Sequence, residues 1–252
     1  MKLFDQQIAI VTGAGKGIGY EIARQLALGG ATVILNDIDA LLCVEAAERI
    51  SGEGGKCFGI VGDCSDRAFI NEMVAIAEKQ KGRLQVVIAN AGITLFGDFF
   101  QYTPESFDRV LKVNLAGSFF LAQESARRMR DHKSGGSILF MSSVTGHQAH
   151  KDLAAYGMTK AALEMLAKNL VIELSPFGIT VNALAPGATL TERTMEDPAY
   201  RAVWSKLTPM GKPADTREVA DAALFLVSPL SKHITGQTLV IDGGWTSVSP
   251  NP

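Results

Sequence analysis

Cysteine is scarce in this 252-residue chain: Cys43, Cys57 and Cys64 are all it has. Their number is odd and no two form Cys-x-x-Cys, so a disulfide framework is not expected and a reducing cytoplasm is. Histidine is nearly as sparse, with His132, His147, His150 and His233 in no His-Glu-x-x-His pattern, and no metal site is expected. No apolar run approaches the ~18 residues of a membrane span. Asp5, Gln6 and Gln7 interrupt any signal-peptide core, so no membrane partner is expected. Basic excess is absent too: 24 Lys+Arg stand against 26 Asp+Glu, a net charge of -2. Nucleic-acid binders that work by charge carry a basic surplus, so no nucleic-acid partner is expected. There is no Pro/Ser linker, low-complexity tract or domain boundary, and residues 1–252 read as one domain.

What is present is ordinary globular composition, 47% hydrophobic and 20% charged, with an unusual 25 glycines. A compact chain this long buries about 70–75% of its unfolded surface. β-branched runs at residues 8–11, 32–35, 57–61, 84–89, 137–141, 179–183 and 238–241 alternate with helix-spaced segments. Ile18, Ile22 and Leu26 line one such segment; Leu163, Leu166, Leu170 and Leu174 line another. Strand–helix alternation predicts an α/β fold with a parallel sheet. Most of the strands lack polar alternation, as strands covered on both faces do. The one irregular stretch, residues 188–213, holds Pro198, Pro209 and Pro213 and is expected to be a substrate lid.

The first strand runs into Thr12-Gly13-x-x-x-Gly17-x-Gly19 and then a helix. A tight turn, a bare backbone and a helix N-terminus are what a pyrophosphate requires. The strict Gly-x-Gly-x-x-Gly spacing is absent, because Ile18 and Tyr20 stand where a third glycine would fall. Asp37 closes the second strand, 20 residues after Gly17. A carboxylate there suits ribose hydroxyls and repels a 2′-phosphate, whereas Lys16 points the other way. Asp39 is better placed than Asp37 to cap the next helix. NAD(H) is therefore expected over NADP(H).

Tyr156 and Lys160 lie four apart at the start of a helix and share a face with Leu163 and Leu170. An inward lysine needs a reason. An ammonium beside a tyrosine hydroxyl favours phenolate, which makes tyrosine usable as an acid/base. Ser143 ends the fifth strand and Asn90-Ala91-Gly92 the fourth, on the edge where open parallel sheets bind ligands. Asn114 stands in an apolar helical context with Val110, Val113 and Phe120.

With these motifs in this order, the chain resembles the short-chain dehydrogenase/reductase family over almost its whole length. Pro186-Gly187 and the closing run Gly236 to Gly244 fit as well. One small departure is Ala89, where the family often has a second asparagine. The resemblance implies a single Rossmann-like, doubly wound domain with a seven-stranded parallel sheet and helices on both faces. It implies a catalytic Asn114, Ser143, Tyr156 and Lys160. Tyr156 would be the general acid/base and Ser143 would hold the substrate oxygen. Lys160 would bind the nicotinamide ribose, and Asn114 would order a water that relays the proton. Gly13, Lys16, Gly17, Ile18, Gly19, Asn90, Ala91, Gly92, Pro186 and Gly187 would contact the cofactor. Asp63 and Cys64 would face the adenine, and Thr189 and Thr191 the carboxamide.

The implied reaction passes a hydride between NAD(H) and a secondary alcohol or ketone, such as a sugar, polyol or hydroxy acid. An NADPH-dependent 3-oxoacyl thioester reductase is the alternative, and Asp37 speaks against it. A redox-sensing regulator without turnover would have lost Ser143, Tyr156 or Lys160, and all three are present. The substrate pocket is expected from residues 94–99, 145–153 and 188–213. His147, His150 and Lys151 there suit a polar or anionic small molecule, while Leu95, Phe96, Phe99 and Phe100 suit an apolar one. The Tyr156 helix carries a second apolar stripe, Met158, Ala162, Met165 and Ile172, which Glu164 and Lys168 separate from the first. A second stripe needs a second partner. A homotetramer is expected, on the resemblance, with residues 236–245 as a second contact.

Overall fold

The β-branched runs become strands because a sheet covered on both faces lets them bury both sides of the chain. The structure, a computed structural model, describes residues 2–248; Met1 and 249–252, the ends of the expected domain, lie outside the described residues. In chain order the elements begin β1 (Gln7–Thr12), α1 (Gly17–Leu28), β2 (Thr32–Asp37), α2 (Ala40–Gly52), β3 (Lys56–Val61) and α3 (Arg67–Glu78). Then come β4 (Arg83–Ala89), α4 (Pro104–Val110), a π-helical turn (Leu111–Gly117), α5 (Ser118–Asp131), β5 (Gly136–Met141) and α6 (Ala154–Leu174). The chain continues through β6 (Ile179–Pro186), β7 (Thr189–Leu190), α7 (Tyr200–Leu207), β8 (Ala214–Asp215), α8 (Thr216–Val227) and β9 (Thr238–Ile241).

Seven of these strands form one sheet in the order β3-β2-β1-β4-β5-β6-β9, every pair parallel. Side chains alternate across each strand. Ala9 and Val11 of β1 face a core built with Ile22 and Leu26 of α1, Cys43 and Ile50 of α2, and Val219 of α8. Ile8 and Ile10 face the opposite core, with Ile70 and Met73 of α3, Leu121 of α5 and Leu163 of α6. Each of the buried Ile, Leu, Val and Met side chains contributes roughly 1.5–3 kcal/mol relative to exposure. Only the edge strands break the pattern: Phe58 and Val61 of β3 and Leu239 and Val240 of β9 are exposed.

The strand order reverses between β1 and β4, and the crevice at this switch point is where open sheets bind ligands. Side chains cap α2 (Asp39), α3 (Asp66), α4 (Thr103) and α8 (Asp215, in a capping box with Glu218). Helix α1 has no side-chain cap. The stretch read as irregular is partly built: residues 188–213 hold β7, a 3₁₀ turn at Thr194–Glu196 and α7. Its prolines sit between these pieces, which are too short to show a period. Among the described residues, no helix is long and apolar enough to cross a membrane.

Candidate active site

The glycine turn is shaped by what lies against it. Gly13 and Gly17 have φ of +59° and +65°, a region open to glycine at little cost. A Cβ on Gly13 would also stand 2.8 Å from the Ala91 Cα. Asn90 Nδ2 donates to the carbonyls of Thr12 (2.8 Å) and Gly13 (2.9 Å). The Thr12 hydroxyl accepts from the backbone N–H of Asn90 (3.2 Å) and of Ala91 (3.1 Å). Asn90 thus braces the turn, with its amide committed to the backbone. A Cβ on Gly19 would run into that same amide, so α1 could not pack this close to β4.

Asp37 closes β2 and accepts two backbone N–H groups, from Gly15 (2.9 Å) and Asp39 (3.1 Å). Asp39 caps α2 by accepting from Leu42 N–H at 3.1 Å, as expected. Burial would push the Asp63 carboxyl up. Hydrogen bonds from Ser65 and the nearby Lys112 charge outweigh burial and hold it below the ordinary aspartate value. Burial pushes the neighbouring Cys64 thiol up to about 12.

Across the switch point, α6 points Lys160 inward, where it is 4% exposed. Its Nζ donates to the Met141 carbonyl at 2.7 Å and lies 5.4 Å from the centre of the Tyr156 ring. Asn114 is fully buried in the π-helical turn. It accepts from Ile93 N–H (2.8 Å) and donates to the Ile93 carbonyl (3.0 Å) and the Thr159 hydroxyl (3.3 Å). Thr159 in turn donates to the Tyr156 carbonyl at 2.7 Å. A Cβ on Gly92 would stand 3.3 Å from Asn114 Oδ1 and 3.4 Å from Lys160 Nζ, so both atoms face one small space. Ser143 is extended (φ −167°), and its hydroxyl accepts from Thr145 N–H at 3.2 Å.

One cleft of about 910 Å³ joins the two halves. Gly13, Lys16, Gly17, Ile18, Gly19, Asp37, Asp63, Cys64, Asn90, Ala91 and Gly92 line it on one side. Ser143, Tyr156, Lys160, Pro186, Gly187, Thr189 and Thr191 line it on the other. Asn114 lies behind the wall. Of the residues expected at the substrate pocket, Thr94 and Leu95 line the cleft, whereas Phe96, Phe99, Phe100, His147, His150 and Lys151 do not. His147 turns instead to Glu164 at 3.1 Å, and His150 stacks on Trp245 with ring centres 5.1 Å apart. Besides Lys160, the cations in the cleft are Lys16, Arg109, Lys112 and Arg193. Arg109 and Arg193 carried no motif; only the closeness of α4 and the 188–213 stretch to the sheet edge could have pointed to them.

The residues present fit a dinucleotide. Its pyrophosphate would meet bare glycine backbone and the uncapped N-terminus of α1, whose N–H groups and dipole favour an anion. The cleft also lies within the ~300–1,000 Å³ range of cofactor sites.

A family profile described as enoyl-(acyl carrier protein) reductase matches residues 13–246. An L-rhamnose 1-dehydrogenase (NAD(P)(+)) of Azotobacter vinelandii is 33% identical over 251 residues, covering 97% of this chain and 98% of the relative. A gluconate 5-dehydrogenase of Burkholderia cenocepacia, solved in complex with NADP and tartrate, superposes with a TM-score of 0.90 at 33% identity. That match covers 98% of this chain and 99% of the other. A short-chain type dehydrogenase/reductase of Mycobacterium marinum gives 0.92 at 32% identity, with the same coverage. The chain belongs to the short-chain dehydrogenase/reductase family, and its reaction is NAD(P)-dependent hydride transfer between a secondary alcohol and a ketone.

Proposed function

We propose that the cleft takes NAD(H) in preference to NADP(H) and oxidises a sugar, polyol or sugar acid. When bound, the nicotinamide cofactor takes up or gives back the hydride of the alcohol carbon. The chain's own residues do the rest. Tyr156 takes the proton from the alcohol oxygen or returns it, and Ser143 holds that oxygen. Lys160 binds the nicotinamide ribose, and Asn114 orders a water beside it. The observation that carries this reading is Lys160: a buried lysine, held by one carbonyl, between the Tyr156 ring and the space that Asn114 shares. A lysine is rarely enclosed in this way without a task.

Asp37 supports NAD(H), because its fixed carboxylate at the end of β2 would repel a 2′-phosphate. The names of the rhamnose and gluconate relatives support a polyhydroxy substrate, and the cations of the cleft suit a sugar acid. Residues 188–213 serve as the lid, with Thr191, Arg193 and Tyr200 facing the cleft. The acyl-carrier-protein description of the matching profile favours a second reading, an NADPH-dependent 3-oxoacyl thioester reductase. A screen of L-rhamnose, gluconate, tartrate and a 3-oxoacyl thioester, each with both cofactors, separates the two. Turnover of the thioester alone, with NADPH, would overturn the main reading.

Oligomerisation belongs to the same proposal. Met158, Met165 and Ile172 of α6 are exposed, Met165 by 55% and Ile172 by 83%. Met165 lines an apolar groove between α5 and α6 together with Leu115, Phe119 and Ala162. The assembly is a homotetramer in the cytoplasm, with residues 236–245 as the second contact. Leu239 and Val240 on edge strand β9 support that contact.

A further inference from the structure

Glu164 reads in the sequence as part of a polar divider on the surface of α6. The structure buries it, with its side chain 12% exposed. A buried carboxylate is unfavourable unless donors surround it. The two side chains that reach Glu164 come from one short segment. Ser142 Oγ stands 2.6 Å from Glu164 Oε1 and 3.0 Å from the Lys160 carbonyl. Its single proton goes to the nearer, charged acceptor. His147 Nε2 stands 3.1 Å from the same oxygen. Gly146 packs over it, and a Cβ there would lie 2.7 Å from Oε1. One oxygen is therefore hydrogen-bonded just before Ser143 and met again by His147 four residues after it.

We propose that Glu164 is a positioning residue for the reaction: its Oε1 clamps the turn that carries Ser143 onto the helix that carries Tyr156 and Lys160. Glu164 lies one helical turn beyond Lys160. The turn it holds is otherwise a single 3₁₀ turn, Val144–Gly146, closed by Gly146 N–H to the Ser143 carbonyl. Lys160 Nζ on the Met141 carbonyl ties the end of β5 to α6 ahead of this turn. The Glu164 carboxylate carries the tie on through Ser142 and across to His147, and with it sets the spacing of the Ser143 and Tyr156 hydroxyls about a substrate oxygen. The proposal rests on the assignment of Ser143 and Tyr156 made above. It adds a residue that touches neither substrate nor cofactor.

The test compares Glu164→Met, Glu164→Gln and His147→Ala, using whichever of L-rhamnose and gluconate the wild type turns over faster. Met matches the volume and removes the acceptor, whereas Gln keeps Oε1 as an acceptor for Ser142 and stays within reach of His147. A misplacement of about 1 Å can cost on the order of 100-fold in rate. Glu164→Met should lower kcat roughly 10–100-fold, with the Kd for NADH within about twofold of wild type. Glu164→Gln should restore kcat to within about threefold. His147→Ala, at a side chain already one-third exposed, should fold and lose roughly 3–10-fold in kcat.

If Glu164→Met and His147→Ala lower only the melting temperature and leave kcat intact, Glu164 merely packs and the proposal is overturned. Equal damage from Gln and Met overturns it as well. Should Glu164→Met fail to fold, His147→Ala decides alone. Ser143→Ala and Tyr156→Phe run alongside. If they keep wild-type kcat, the underlying assignment falls and the clamp falls with it, a result distinct from intact kcat in the Glu164 variants alone.

Discussion

Asp37 Oδ2 accepts the backbone N–H of Gly15 at 2.9 Å, which bolts the end of β2 to the turn after β1. One carboxylate thus shapes the glycine turn and sets the charge a cofactor meets. Asp37→Asn keeps an acceptor for Gly15 and loses the charge; Asp37→Ala loses both. Both variants should shrink the ratio of kcat/KM for NAD over NADP, by about tenfold or more for one lost repulsion. Only Asp37→Ala should also raise the Kd for NADH. Steady-state kinetics with both cofactors and fluorescence titration of NADH check this; a wild type that prefers NADP would refute the assignment.

Tyr156→Phe keeps the ring and loses the proton. It should lower kcat by ~10²–10⁴-fold and leave NADH affinity nearly intact. A variant that kept a tenth of wild-type kcat would show that Tyr156 is not the acid/base. Lys160→Ala should harm rate and NADH affinity together, and it strips the Met141 carbonyl of its donor.

Gly13→Ala faces two obstacles, φ of +59° and a contact of 2.8 Å with backbone. Gly54 has φ of +87° and nothing within 4 Å. Gly54→Ala should therefore cost about 1–2 kcal/mol and Gly13→Ala distinctly more. Urea denaturation measures both. Equal losses would mean that the turn has room to shift away from Ala91.

The Asp242 carboxyl is pushed up by burial but pulled further down by Thr246 and by the N–H groups of Gly244, Trp245 and Thr246. Its folded value therefore lies below the ~3.9 of an unfolded aspartate. The ionised form then stabilises the fold above about pH 4, and that share is lost as pH falls through the lower folded value. Thr246→Val should flatten the stability profile below about pH 4 and leave its slope between pH 5 and 7 unchanged. Urea midpoints across that range provide the check, and an unchanged acid limb would remove Asp242 from the account.

Met165→Glu places a charge in the groove between α5 and α6 and should split the assembly. Light scattering of the wild type near 26.9 kDa at micromolar concentration would show instead that no oligomer forms.

All seven main strands could be read from the sequence; the five inner ones are apolar runs covered on both faces, which leave an unbroken signal. The glycine turn and Tyr156–Lys160 were legible because close backbone approach and helical spacing leave marks at fixed intervals. Glu164 was not: a helical carboxylate looks alike whether it meets water or, as here, Ser142 and His147. The same holds for His147, which reads as a polar pocket residue until the fold turns it the other way. The π-helical turn around Asn114 read only as helix, because seven residues are too few to show a period of their own.

The Thr12–Asn90 brace has a consequence for how the molecule comes into being. Its partners are 78 residues apart in the chain. Closing a loop of that length costs about 4 kcal/mol in chain entropy beyond a constant term. The first strand, turn and helix leave the ribosome early, yet the turn has no wall to stand against until β4 docks beside β1. The cofactor half of the cleft is thus expected to take shape only in the step that joins the centre of the sheet. Pulsed hydrogen exchange during refolding should find the Asn90 and Ala91 amides protected together with β4; earlier protection would mean that the turn is shaped without its brace.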